Sequence, residues 1–310
     1  MMISSEIKIA GIESLNTKLR DWGLDFVQLD RGILETGLTK AEMPGISLQH
    51  ISFSKKIWQR GSPPSNTITF GILTSDEAEI VWNNQAITPT TLELFGREDK
   101  FDIVSPAGFS ALTFSVNYDE LMQLKEQCGF PLDIDLISLA HRVESANPLT
   151  LNKLKMLSEQ ILYLQPFENA PHFAEELKSD LSYLLISALD SPKVHRFPMI
   201  KLPRDRLIQK AMIYIQDNIA TPILVGELCS QVYTSARTLT RCFQSKFGLS
   251  PKEVITYLRL QAFRRCLIEN PQLKIYQIAS LFGFWHLSKL TQDYKLVFGE
   301  LPTQTRLKMT

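Results

Sequence analysis

The chain has 310 residues, 44% of them hydrophobic and 21% charged, with 33 basic against 33 acidic side chains. That content supports a buried core and excludes a disordered chain, and the length allows two or three domains. No apolar run approaches the ~18 residues of a membrane span, and the first 18 residues lack the apolar core of a secretory signal. Cys128, Cys229, Cys242 and Cys266 stand far apart with no CxxC, against a disulfide or zinc framework. The expectation is a cytoplasmic protein with no membrane partner.

From about Leu24 to Asn117, short β-rich runs recur between turn signals: LDFVQLD, ISLQHISF, TITFGILTS, AEIVWNN, TLELFG and SALTFSV, punctuated by Pro63-Pro64 and Asn83-Asn84. They predict a small antiparallel β-barrel or sandwich over about residues 22–117. Trp22, Phe26, Trp58 and Trp82 fall here, either as plain core or as the lining of a small-molecule pocket. His50 is the only histidine among these strands. A metal site of clustered histidines with a carboxylate is therefore not expected. Asn117, with Glu120 three residues on, predicts a capping box that opens the helix YDELMQLKEQC. Two longer helical stripes follow before residue 190: Leu151, Leu154, Leu157, Ile161 and Leu164, then Leu177, Leu181, Leu184, Leu185 and Ala188. Each packs on the barrel, or one of them forms a dimer seam.

The stretch SPKVHRFPMIKLP carries three prolines and no helical period, so residues 191–204 read as a linker between a domain of residues 1–190 and one of 205–310. Charge divides at the same place. Residues 205–310 hold 14 Lys and Arg against 7 Asp and Glu, whereas residues 1–204 hold 19 against 26. The basic half suits a polyanion, although such a surface can also be merely solvated.

The last hundred residues repeat at an offset of 51: Leu239-Thr240 falls on Leu290-Thr291, Phe243 on Tyr294, Phe247-Gly248 on Phe298-Gly299, and Pro251 on Pro302. A shorter helix precedes each copy, VGELCSQ and then IYQIASLF. Short helix, tight turn and longer helix is the helix-turn-helix arrangement. Ser235 is placed to cap the first long helix, Gly283 supplies the second turn, and PKEVITYLRLQAFRRCLIEN reads as one helix joining the units. With Leu239, Phe243 and Phe247 turned inward, Arg237, Thr240 and Arg241 face outward. An outward arginine can pair bidentately with guanine O6 and N7. The second helix presents His286, Ser288, Lys289 and Gln292 as its base-reading set. Ser235, Lys246, Lys252 and Lys295 stand where phosphate contacts position such a module on double-stranded DNA, in the major groove of two successive turns.

These residues carry a resemblance. From about Asp205 to Met309 the stretches SARTLTRCFQSKFGLSPKEVITYLRL, QIASLFGF and DYKLVFGELP resemble the DNA-binding domain of AraC/XylS-type transcriptional regulators. GFWHLSKLTQDYKLVFGELPTQT is similar to the branch that includes ethanolamine-operon regulators, and FVQLDRG, WQRGSPP and TFGIL match that branch's sensor half more loosely. The wider family has an arginine where Gln292 stands and phenylalanines at Leu290 and Tyr294, which makes the first helix the main reader. Arg259, in the RL pair, is expected in a structural ion pair. The resemblance implies an α+β chain with a cupin-like barrel, trailing dimerisation helices and two helix-turn-helix units. It also implies a homodimeric bacterial activator at the nucleoid that contacts RNA polymerase and takes a small-molecule effector in the barrel; the alternative is control by expression level or a partner protein. No GxSxG, HExxH or P-loop pattern occurs, so neither an enzyme nor a cofactor is expected.

Overall fold

The computed structural model of the chain describes residues 3–10, 12, 13, 15, 19, 22–75, 80–82, 85–87, 91–95, 100–129, 142–144, 147–163, 171–189 and 203–308. The predicted linker lies outside them but for its last two residues, as do Leu164 and the Asn83-Asn84 turn. The chain divides into two compact units. One holds Met1–Asp25, Glu35–Ser54 and Gln59–Met199; the other holds Phe26–Leu34, Lys55–Trp58 and Ile200–Thr310. None of the described helices is long and apolar enough to cross a membrane.

The strands are β1 (Ile3–Ala10), β2 (Asp25–Gln28), β3 (Glu35–Met43), β4 (Ile46–Phe53), β5 (Ile57–Gly61), β6 (Thr67–Leu73), β7 (Ile80–Trp82), β8 (Gln85–Ile87), β9 (Thr91–Phe95), β10 (Phe101–Ser105), β11 (Phe109–Asn117) and β12 (Arg142–Glu144). Among the described residues they form a seven-stranded sheet in the order β1-β3-β4-β11-β6-β9-β12, a three-stranded sheet β10-β5-β2 and the pair β7-β8. This corrects the expected barrel. Closure needs every strand to have two neighbours, whereas among the described residues β1 and β12 end the large sheet and each pairs on one side only. The β3–β4 hairpin turns on Pro44-Gly45, with Gly45 at φ 78° beside the Met43–Ile46 pair. Proline followed by a residue of positive φ is the chemistry of a tight type II turn.

Strand alternation and register give the large sheet two unlike faces. Ala41, Met43, Ile46, Leu48, Ile68, Phe70, Leu112, Phe114 and Val116 line one face and share a core with helices α1 (Tyr118–Cys128), α2 (Pro148–Tyr163) and α3 (Pro171–Leu189). Both predicted stripes enter this core: Leu151, Leu154 and Ile161 on α2, and Leu177, Leu181, Leu185 and Ala188 on α3. Asn117 caps α1 by accepting from Asp119 N at 3.0 Å. Glu120, expected to complete a capping box, instead pairs with Lys178 at 2.6 Å. The opposite sheet face is polar, with Lys40, Glu42, Ser47, Gln49, Thr69 and Ser115 in register across β3, β4, β11 and β6.

The Ile200–Thr310 part of the second unit is helical: α4 (Pro203–Asp217), α5 (Val225–Gln231), α6 (Ala236–Phe247), α7 (Pro251–Glu269), α8 (Ile275–Leu281), α9 (Leu287–Phe298) and α10 (Pro302–Leu307). Pro251 stands at the start of α7 behind a complete Ser250–Glu253 capping box, which satisfies two orphan amides reciprocally. Helices α6 and α9 both end on a left-handed glycine, Gly248 at φ 68° and Gly299 at φ 71°. Within the same unit the last-turn carbonyls, which have no partner inside a helix, receive outside donors. Gln28 Nε2 donates to Val297 O and Gly32 N to Leu296 O, both at 2.8 Å, and Lys56 Nζ donates to Phe247 O at 3.3 Å.

Candidate nucleic-acid interface

Helix α6 buries Leu239, Cys242, Phe243 and Phe247. That 3.6-residue spacing leaves Arg237, Arg241 and Gln244 exposed and Thr240 half-buried on the other side. Ser235 starts the helix as predicted, accepting from Thr238 N at 3.2 Å. Lys246 is half-buried with its ammonium 5.6 Å from the Phe247 ring centroid, and Lys252 is exposed at the front of α7. Helix α9 buries Leu290, Tyr294 and Val297, and exposes His286, Ser288, Lys289, Gln292 and Lys295. Lys289 already spends part of its charge on Asp293, at 2.8 Å one turn along the helix.

Helix α9 is anchored through α7. Leu260, Phe263 and Leu267 of α7 share a core with Ile278 and Ala279 of α8 and with Leu290, Tyr294 and Val297 of α9. Beside that core, Arg264 Nη1 lies 2.7 Å from Glu300 Oε1, 2.9 Å from the Tyr294 hydroxyl and 3.2 Å from Thr305 Oγ1, with its guanidinium 4.8 Å from the Phe298 ring centroid. Burial alone would raise the Glu300 carboxyl, but hydrogen bonds from Lys308, Thr305 and Arg264 and the Arg264 charge hold it down at about 2. Burial pushes the Tyr294 hydroxyl up to about 12. Arg264 thus makes a buried ion pair from this helix. Arg259, which was expected to fill that role, has Nε and Nη2 buried without a hydrogen-bond partner among the described residues, and its desolvation lowers its pKa.

The polar sheet face of the first unit borders a cavity of about 390 Å³ lined by Trp22, Lys40, Glu42, Gln49, Ser115 and Asn117, among others. Lys40 Nζ meets Glu42 Oε1 at 2.5 Å, Ser47 Oγ donates to the same oxygen at 3.2 Å, and Gln49 Nε2 donates to Ser47 Oγ at 3.4 Å. Of the four aromatic residues proposed for a pocket, Trp22 lines this one. Phe26 and Trp58 are buried in the second unit, where Trp58 meets Phe247 edge-on at 5.3 Å. The Trp82 side chain lies outside the described residues. His50 is on the apolar face, with Nε2 2.7 Å from Ser110 Oγ and 3.2 Å from Thr74 Oγ1. Burial lowers its pKa against the opposing charge of Glu159, and its ring is held by the two strand hydroxyls.

Sequence periodicity missed Trp285 and Leu287, which stand 71% and 45% exposed at the front of α9. It also missed the polar cavity residues, which come from four strands and meet only through register.

Residues 228–308 match the helix-turn-helix domain family. Over 100 residues the chain is 29% identical to the XylDLEGF operon transcriptional activator of Pseudomonas putida, covering 31% of each protein. Over 159 residues it is 26% identical to the Msm operon regulatory protein of Streptococcus mutans, covering 49% of this chain and 55% of the relative. A solved AraC-type regulator from Chromobacterium violaceum is 25% identical, covering 34% of this chain and 93% of that one, with a TM-score of 0.33. The chain thus spans 31% and 55% of the length of these two curated relatives. In its C-terminal part the chain carries a helix-turn-helix domain of the AraC type.

Proposed function

We propose that the chain is a sequence-specific DNA-binding regulator of transcription. Its two helix-turn-helix units, α5–α6 and α8–α9, enter successive major-groove turns on one side of a duplex. The observation that carries this reading is the pairing of α6 and α9. Each is a twelve-residue helix with aliphatic and aromatic side chains buried on one side and a mostly polar or basic set outward. Arg237, Thr240 and Arg241 read bases from α6, and His286, Ser288, Lys289 and Gln292 from α9. Ser235, Lys246, Lys252 and Lys295 hold phosphates. One relative is named an operon transcriptional activator and another an operon regulatory protein, which supports a role in transcription; in this reading the chain activates, contacts RNA polymerase and acts as a homodimer. In this reading residues 1–190 sense, 191–204 link and 205–310 bind DNA. The cavity beside Trp22 takes the effector, and its carboxylate, ammonium, hydroxyl and carboxamide groups suit a small polar molecule rich in hydrogen-bonding groups.

Selection of bound duplexes from a random pool by the full chain, at two salt concentrations, tests the proposal. An enriched motif that persists at the higher salt is expected. Retention without enrichment, falling steeply with salt, would reduce the interaction to phosphate binding. For the effector, a polar metabolite that raises the melting temperature of the chain, and no longer does so in Gln49→Leu, is expected. No shift across a broad panel would assign control to expression level or to a partner protein.

A further inference from the structure

The two helix–turn–helix segments are not equal in length. The turns match at an offset of fifty: Val232 and Phe282 close the short helices at φ −101° and −104°. Tyr233 and Gly283 follow in the left-handed region at φ 53° and 68°. Thr234 N and Phe284 N then reach back to Cys229 O and Ala279 O at 3.0 and 2.9 Å. The next helices start at an offset of fifty-one, on the cap residues Ser235 and His286. One residue is therefore inserted in the second turn, and it is Trp285.

That indole is 71% exposed, and Leu287 beside it is 45% exposed. A large apolar side chain left in water contributes nothing to the core, whereas residues at the front of a recognition helix are those that meet base edges. The outward chemistry of α9 also differs from that of α6. Ser288 and Gln292 stand where α6 has Arg237 and Arg241, so the guanidinium fork that selects guanine is missing from both positions. A glutamine suits adenine N6 and N7, and apolar side chains suit the thymine C5-methyl group.

We propose that Trp285, with Leu287, packs against thymine methyl groups in the major groove. On this basis α9 reads A·T pairs, with Gln292 on adenine, while α6 reads guanine through Arg237 and Arg241. The inference rests on the DNA-binding reading of α9 and deepens it by naming the bases.

The test replaces each thymine of a selected site with uracil, one at a time, which removes one methyl and leaves base pairing intact. The full chain is expected to lose about four-fold in affinity at one or two thymines in one half of the site, the worth of one buried methyl-sized group. Trp285→Ala should bind thymine and uracil equally there, Trp285→Phe should keep most of the discrimination, and Arg241→Ala should keep all of it. A melting curve on each variant controls for folding. Equal affinity for thymine and uracil at every position in an otherwise sequence-specific complex would overturn the assignment while leaving the DNA-binding reading intact. Discrimination that survives Trp285→Ala would also overturn it. If Trp285→Ala keeps the discrimination and loses only activation of transcription, the indole belongs to a protein contact and the proposal is wrong. A chain that selects no sequence at all would overturn the underlying reading as well.

Discussion

Replacing Arg264 with methionine removes the cation that ties α7 to α9 and α10 while keeping an apolar side chain of comparable length. In the protein its Nη1 has three oxygen partners between 2.7 and 3.2 Å, and its side chain and that of Glu300 are each 12% exposed. Breaking a buried pair from one side costs about 3–5 kcal/mol when the remaining charge has no other partner. Glu300 keeps Lys308 at 2.5 Å and Thr305 at 2.7 Å. The Lys308 side chain is 68% exposed, so solvent screens that substitute. The expected loss at pH 7 is therefore about 2–4 kcal/mol. Its pH dependence follows from the Glu300 carboxyl, held at about 2 against an ordinary 4.5. A group depressed by folding contributes fully above its unfolded pKa, and that contribution fades as pH falls towards the folded value. The stability gap between Arg264→Met and the parent chain should thus be widest above pH 5 and should close between about pH 4.5 and 2. Urea unfolding of both chains at pH 7 and pH 3, followed by tryptophan emission and far-UV circular dichroism, measures it. A loss below ~1 kcal/mol at pH 7, or an unchanged gap at pH 3, would refute the assignment of this network as the anchor of α9.

Arg237→Ala and Arg241→Ala should each weaken binding to the selected site by about 1–3 kcal/mol and relax preference at one base pair, as read by competition binding against single-base variants. Lys246→Ala should weaken all sequences alike and flatten the salt slope by about one unit; a base-specific effect in a salt titration would contradict its role on phosphate. Ser250→Ala removes the acceptor of the Glu253 amide, 3.3 Å away, and should cost about 1 kcal/mol of unfolding free energy at pH 7. Hydrogen bonds from the Ser250 backbone and side chain hold the Glu253 carboxyl below its ordinary value. That share of the cost should fade as pH falls through the carboxylate range, and a pH-independent cost would remove the carboxylate from the explanation.

The C-terminal helices were legible because their signals are local. Ser235, Gly283, Pro251 and the Phe-Gly endings act within a turn of where they stand, and the spacing of Leu239, Phe243 and Phe247 fixes which arginines face out. The N-terminal sheet was legible only in part. β4, β6, β9 and β11 are rich in β-branched and aromatic residues, whereas β3 reads ETGLTKAEM, and its glutamates, lysine and alanine are poor strand formers. Its pairing comes from the Pro44-Gly45 turn and from the apolar face of Ala41 and Met43, a tertiary reward that outweighs propensity. Closure of the sheet is a property of its two edges, which no single run of residues encodes. The Trp285 insertion needed two offsets rather than one, because the repeat that aligns the long helices does not align the turns before them.

The most direct test of the account is a hydroxyl-radical footprint of the full chain on a duplex taken from the selection. Two helix-turn-helix units on successive turns predict two protected patches on one face of the duplex, about one helical turn, ~10.5 base pairs, between centres. Arg241→Ala should weaken one patch and Trp285→Ala the other. A single protected patch, or two patches on opposite faces, would contradict it.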